Sequence, residues 1–86
     1  MNLPTALIVL RQHAEARMIE AALTERQIEV ARLLLRGFTT HEIGSYLRIS
    51  SRTAASHLEA IFTKFGVASR VALYNHLFPV YGEPGA

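Results

Sequence analysis

The chain reads as an all-α protein, a row of five helices in one domain. Three observations point there. Apolar residues recur at spacings of three and four, and no stretch alternates over strand length. Ser or Thr opens most of the periodic segments, and glycine closes two of them. No Asn-Gly or Asp-Gly hairpin signal occurs.

The first helix is expected over 4–22. Pro4 suits a first helical position, where its missing N–H costs nothing. Leu3, Leu7, Leu10, Ala14, Met18 and Ala21 form one stripe, widened by Ile8, Val9 and Ile19. The second helix is expected over 24–36. Thr24 with Gln27 makes a capping-box pattern, Leu23 with Ile28 a hydrophobic staple, and Gly37 a C-terminal stop. Ile28, Ala31, Leu34 and Leu35 are its expected inward residues.

Thr39 with Glu42 and Phe38 with Ile43 repeat this grammar for a short helix over 40–47. After Arg48-Ile49, Ser50 caps a helix over 51–65 that ends at Gly66. Its inward stripe is Ala54, Leu58, Ile61 and Phe65. Ser69 caps a last helix that stops before Pro79. Residues 79–86 contain Gly-Glu-Pro-Gly and are expected to be a flexible tail.

Composition narrows the function classes. The 86 residues are 50% hydrophobic and 19% charged, which is a globular balance. Nine Lys and Arg face seven acids, all Glu, for a net charge of +2. Any nucleic-acid site must therefore be a local patch. With no Cys there is no disulfide framework and no thiolate metal site. His13, His41, His57 and His76 include no pair at i, i+3 or i, i+4, so no metal or other cofactor is expected. Ser50 or Ser56, His57 and Glu59 lie close in sequence, but neighbours on one helix diverge by about 100°. The chain is not read as an enzyme. No apolar run is long enough for a membrane span, and no membrane partner is expected.

The pair 40–47 and 51–65, joined by a three-residue connection, has helix-turn-helix geometry. Its second helix would offer short polar and basic side chains to a major groove. The run Leu23-Thr24-x-Arg26-Gln27-x-Glu29-Val30, then Gly37, Glu42-Ile43, Leu47-x-Ile49-Ser50, Thr53, His57, Ile61, Lys64-Phe65-Gly66-Val67 and Arg70 resembles the LuxR-type (GerE-like) DNA-binding domain. The resemblance covers roughly 23–78, about two thirds of the chain. It implies a four-helix domain of a bacterial transcription regulator. It also implies a third domain helix that reads the major groove and a fourth that makes a two-fold contact.

On this reading 1–22 is a linker or oligomerisation helix, 23–78 the DNA-binding domain and 79–86 the tail. Arg52, in the first turn of the reading helix, is the candidate base reader. Ser51 and Ser56 suit phosphates or bases, and Thr53 a phosphate or the backbone. Thr40, His41 and Arg48 are placed for a phosphate, and His57 for the edge between core and DNA backbone. Lys64 and Arg70 bracket the Gly66 turn as a small positive zone. Leu3, Leu7 and Leu10 on the first helix, and Val71, Tyr74 and Leu77 on the last, are the expected dimer residues.

Expected partners are duplex DNA, a second copy or higher homo-oligomer, and RNA polymerase or a related regulator. The expected location is the bacterial cytoplasm, at the nucleoid. Several positions depart from the family pattern. Ala55 stands where a DNA-contacting residue is usual, and Glu59 lies one turn on from it. Ala54 shrinks a core position, Gln27 replaces a usual Glu and Gly44 a usual Ala. Ala55 and Glu59 motivate an alternative: a module of the same fold that hetero-dimerises with a related regulator and inhibits it.

Overall fold

A computed structural model describes residues 3–78, with side chains from Ile8 onward. The described residues form five helices and no strand: α1 (Leu3–Glu20), α2 (Glu25–Leu35), α3 (Thr40–Leu47), α4 (Ser51–Phe65) and α5 (Arg70–Leu77). The expected tail lies outside the described residues, as do the side chains of Leu3 and Leu7.

The caps form where the sequence places them. Thr24 Oγ1 accepts from Gln27 N at 3.1 Å, and Gln27 Oε1 accepts from Thr24 N at 3.0 Å. Thr39 and Glu42 do the same at 3.1 and 2.8 Å. Each box satisfies amides that have no partner inside the helix. Gly37 (φ 93°) and Gly66 (φ 68°) take the left-handed conformation that ends α2 and α4.

The end of α1 differs from expectation. It stops at Glu20, two residues early, because Ala22 turns left-handed (φ 59°) and Leu23 N closes on Met18 O at 3.3 Å. No glycine marks this stop in the sequence.

The inward face of α2 is also shifted. Val30 and Leu33 are buried with Ala31 and Leu34, whereas Ile28 and Leu35 are half-buried flanks. The core is built from these residues with Ile43, Ala54, Leu58, Ile61, Leu73 and Leu77. α2 packs against α3 and α4, and α5 against α4 and α1.

α1 contributes Ala14 and Met18 to that same core. Its inward stripe thus covers its own domain. Ile8 (54% exposed) and Ile19 (70%) face outward instead. Polar ties reinforce the arrangement. Tyr74 Oη donates to Leu34 O (3.1 Å) and Leu35 O (2.7 Å), joining α5 to the end of α2. Arg17 Nη1 lies 3.5 Å from His76 Nε2, and the His76 ring meets Phe65 edge-on at 5.4 Å.

Arg32 grips Glu15 with two bonds, Nε to Oε1 at 2.7 Å and Nη2 to Oε2 at 3.0 Å. This hydrogen bonding holds the Glu15 carboxyl below its ordinary value of 4.5. A lowered folded value makes the contribution full above the ordinary value and lost as pH falls through the lowered one. Glu15→Gln is therefore expected to cost about 0.2–1 kcal/mol near neutrality, as for an exposed pair. The difference from wild type should shrink below pH 4.5. Thermal melts from neutral to acid pH measure it; a difference that grows on acidification contradicts the assignment.

Candidate nucleic-acid interface

The short turn between α3 and α4 sets the geometry of the site. Arg48 caps α3 in a left-handed conformation (φ 59°), and its N–H donates to Gly44 O. Ile49 N donates to the same carbonyl at 2.9 Å. Ser50 then caps α4: its Oγ accepts from Thr53 N at 2.9 Å and donates to Thr53 Oγ1 at 2.9 Å. Gly44 is buried against this turn. A Cβ there would stand 2.9 Å from Ile49 O and 3.3 Å from Ser51 N. The absence of a side chain at Gly44 thus lets α3 lie directly on the start of α4.

That closeness brings two helix beginnings together. His41 Nδ1, in the first turn of α3, lies 3.3 Å from Ser51 Oγ, at the first residue of α4. Thr40 is half-buried beside it, while His41, Arg48, Ser51, Arg52 and Thr53 are exposed. Helix beginnings carry partial positive charge and outward amides, so this corner attracts anions. The Glu42 carboxylate is tied back by the Thr39 N–H, which holds its pKa below the ordinary 4.5.

α4 turns Ala54, Leu58 and Ile61 into the core. The opposite stripe is Arg52, Ser56, Glu59 and Thr63, all exposed. Thr63 joins this stripe by its spacing, a place no motif in the sequence marks, and its hydroxyl donates to Glu59 O at 2.9 Å. Ala55 and His57 are half-buried at the flanks. No ion pair joins Glu59 to Arg52 among the described residues.

The other expected basic residues lie elsewhere. Lys64 is about 18 Å along α4 from Arg52, at 1.5 Å per residue. Its Nζ donates to Ala22 O at 2.9 Å and Gln27 Oε1 at 2.8 Å. Two of its three donors therefore hold the turn between α1 and α2. Arg70 opens α5, half-buried. The structure brings Thr40, His41, Arg48, Ser51, Arg52 and Thr53 together and leaves Lys64 and Arg70 at the far end.

The expected dimer residues also separate. Val71 is 67% exposed, but Leu77 is fully buried in the core. A side chain in the core cannot also meet a partner, so Leu77 leaves the outward face of α5. Tyr74 is half-buried with its hydroxyl already used, and Leu10 is half-buried. Among the described residues no cluster of three or more His, Cys, Asp or Glu could hold a metal. No described helix is long and apolar enough to cross a membrane.

Residues 21–77 match the family described as bacterial regulatory proteins, luxR family. The chain belongs to the luxR family of bacterial regulatory proteins. This is a family of transcription regulators and not of enzymes. The helix-turn-helix of this luxR-family domain is the α3–α4 pair. The chain is 35% identical over 69 residues to the transcriptional regulatory protein LiaR of Bacillus subtilis, covering 78% of this chain and 33% of that protein. It is 29% identical over 76 residues to the response regulator protein VraR of Staphylococcus aureus, covering 87% of this chain and 36% of that protein. A match of 38% over 52 residues reaches a putative HTH-type transcriptional regulator of Mycobacterium bovis, covering 60% of this chain and 6% of that protein. The luxR-family chain thus spans about a third or less of these relatives. No solved structure matches it.

Proposed function

We propose that this luxR-family protein binds duplex DNA sequence-specifically as a dimer and regulates transcription, with α4 in the major groove. The observation that carries this reading is the corner where α3 and α4 begin, with Arg52 and Ser56 on the stripe that faces away from the core. Arg52 reaches guanine through a bidentate pair, and Ser56 adds a polar contact one turn on. Thr40, His41, Arg48, Ser51 and Thr53 meet phosphates at the helix beginnings. His57 lies at the flank, and Arg70 with the remaining donor of Lys64 meets the flanking backbone. A two-fold dimer through the exposed side of α5 around Val71 sets two copies of α4 about 34 Å apart, one helical turn of DNA. The printed names of the relatives, a transcriptional regulatory protein and a response regulator, support the regulatory role. A bacterial cytoplasmic location at the nucleoid, and contact with RNA polymerase, go with this reading.

The test is selection from a random pool of duplex DNA at two salt concentrations. Selected sequences should share a motif, and log affinity should fall with log salt. Arg52→Ala is expected to lose about 1–3 kcal/mol on the selected site and to relax preference at one base position. Arg48→Gln should weaken all duplexes alike. Equal loss of preference from both variants contradicts these roles, and no retained duplex at low salt refutes DNA binding.

Glu59 supports a second reading. It is exposed on the stripe that would face DNA, where a carboxylate repels phosphates. A protein that pairs with a related regulator and blocks it would tolerate this charge. Glu59→Gln separates the two: a large gain in affinity for all duplexes favours the blocking role.

A further inference from the structure

A second surface lies away from the DNA-reading stripe. α1 and α2 enclose a half-open groove of about 820 Å³. The apolar surface it offers comes from the half-buried Leu10 of α1, Leu35 of α2 and Phe78 at one end, over a floor formed by the buried core residues Ala14, Met18 and Leu33. Three guanidiniums stand on its rim, Arg11, Arg32 and Arg36, against a single carboxylate, Glu15. Arg32 already consumes that carboxylate with two hydrogen bonds. Arg36 stacks over the Phe38 ring at 5.8 Å, and no carboxylate pairs with Arg11 or Arg36 among the described residues. The exposed Ile8 lies one turn before Arg11 and Gln12 on α1 and extends the apolar surface outward.

Charge selects the occupant. A second copy of the same face would bring two more unpaired guanidiniums, its own Arg11 and Arg36, and repel it. Duplex DNA could use the rim but not the apolar floor. We propose that the groove between α1 and α2 docks an acidic, amphipathic segment of a partner protein, with apolar side chains between the helices and carboxylates on Arg11 and Arg36. This is helix-in-groove recognition with a basic rim. α2 separates the two surfaces: Val30, Ala31 and Leu34 face the core toward α3 and α4, and Arg32 and Arg36 face out. The docked segment therefore leaves α4 open, and the groove stands independently of the DNA-binding reading.

The experiment uses the full chain and a fluorescent peptide of about 16 residues, Leu at every third or fourth position and Glu elsewhere. A control peptide carries Lys in place of each Glu. The acidic peptide is expected to bind one to one and the Lys peptide not. R11Q/R36Q should weaken binding on the order of tenfold or more, while R26Q, which removes one member of the Arg26–Glu29 pair outside the groove, leaves it unchanged. Circular dichroism and random-duplex binding of R11Q/R36Q should match wild type. Failure of all proteins to bind DNA would overturn the function proposed above and leave the groove result intact. The docking proposal is overturned by unchanged peptide binding in R11Q/R36Q, by displacement of the peptide by duplex DNA, or by peptide binding only after removal of residues 79–86. The last outcome would assign the groove to Val80, Tyr81 and Glu83 of the chain itself.

Discussion

Gly44→Val is expected to destabilise the protein by about 3 kcal/mol and to abolish high-affinity DNA binding. The reason is the position of the missing Cβ. It would lie 2.9 Å from Ile49 O, 3.3 Å from Ser51 N and 3.4 Å from the Ser50 carbonyl carbon. All three are backbone atoms of the turn, so no side chain can rotate away. The turn itself must move, and Ser50 and Ser51 start α4. A valine adds two methyl groups to the clash and loses rotamer freedom in a helix. Gly44→Ala has a smaller cost, because alanine regains about 0.5–1 kcal/mol of helix preference. Urea denaturation gives the stability, and duplex titration gives the affinity. A valine variant within about 0.5 kcal/mol of wild type would refute the close approach.

Ile61→Ala is expected to cost about 2–5 kcal/mol, the largest loss predicted for a single truncation here. Ile61 is fully buried in the stripe of α4 with Ala54 and Leu58. It belongs to a core in which α4 packs on α2, α3 and α5. Ala54 is already small, so little side chain nearby can move in to fill the void. A domain of this size has a total stability of only about 4–13 kcal/mol, at 0.05–0.15 per residue. The loss should lower Tm by roughly 10 °C or more. Ile19→Ala is the control. That side chain is 70% exposed, and its loss should stay within about 0.5 kcal/mol. Equal losses from both would mean that α1 buries Ile19 in solution, against its exposure here.

Much of the architecture was legible in the residues. The bounds 40–47 and 51–65 follow from the residues, because a capping pair or serine opens each helix and Gly66 ends the second. Both capping boxes are local, three residues apart, so no distant contact was needed to foresee them. Ala54, Leu58 and Ile61 of the α4 stripe are legible from periodicity, while Phe65 at its end is half-buried against the core. The α2 stripe was harder, since Ile28, Val30, Ala31, Leu33, Leu34 and Leu35 are nearly all apolar. Periodicity cannot choose a face where almost every side is apolar. The end of α1 is not legible in the residues, because an alanine, not a glycine, takes the left-handed turn.

The candidate site was legible at one end only. Thr40, His41, Arg48, Ser51 and Arg52 converge because the α3–α4 turn is short and close in sequence. The fate of Lys64 depended on Ala22 and Gln27, 42 and 37 residues away. Its place beside the Gly66 turn suggests a small positive zone shared with Arg70; the packed structure directs its ammonium to the turn after α1. Leu77 fits the spacing of an outward face and of a buried one equally well, and only the docking of α5 on α1 and α4 decided for burial.

The sequence by itself determined the helices, their caps and the family, because hydrogen-bonded starts, apolar period and motif spacing are local properties. The tertiary structure alone decided which of several apolar faces was covered and which charges were spent on structure. It turned the stripe of α1 inward through Ala14 and Met18 and left the groove beside it rimmed by Arg11 and Arg36. Burial and ion pairing are relations between residues far apart in the chain, and they exist only once the helices have packed.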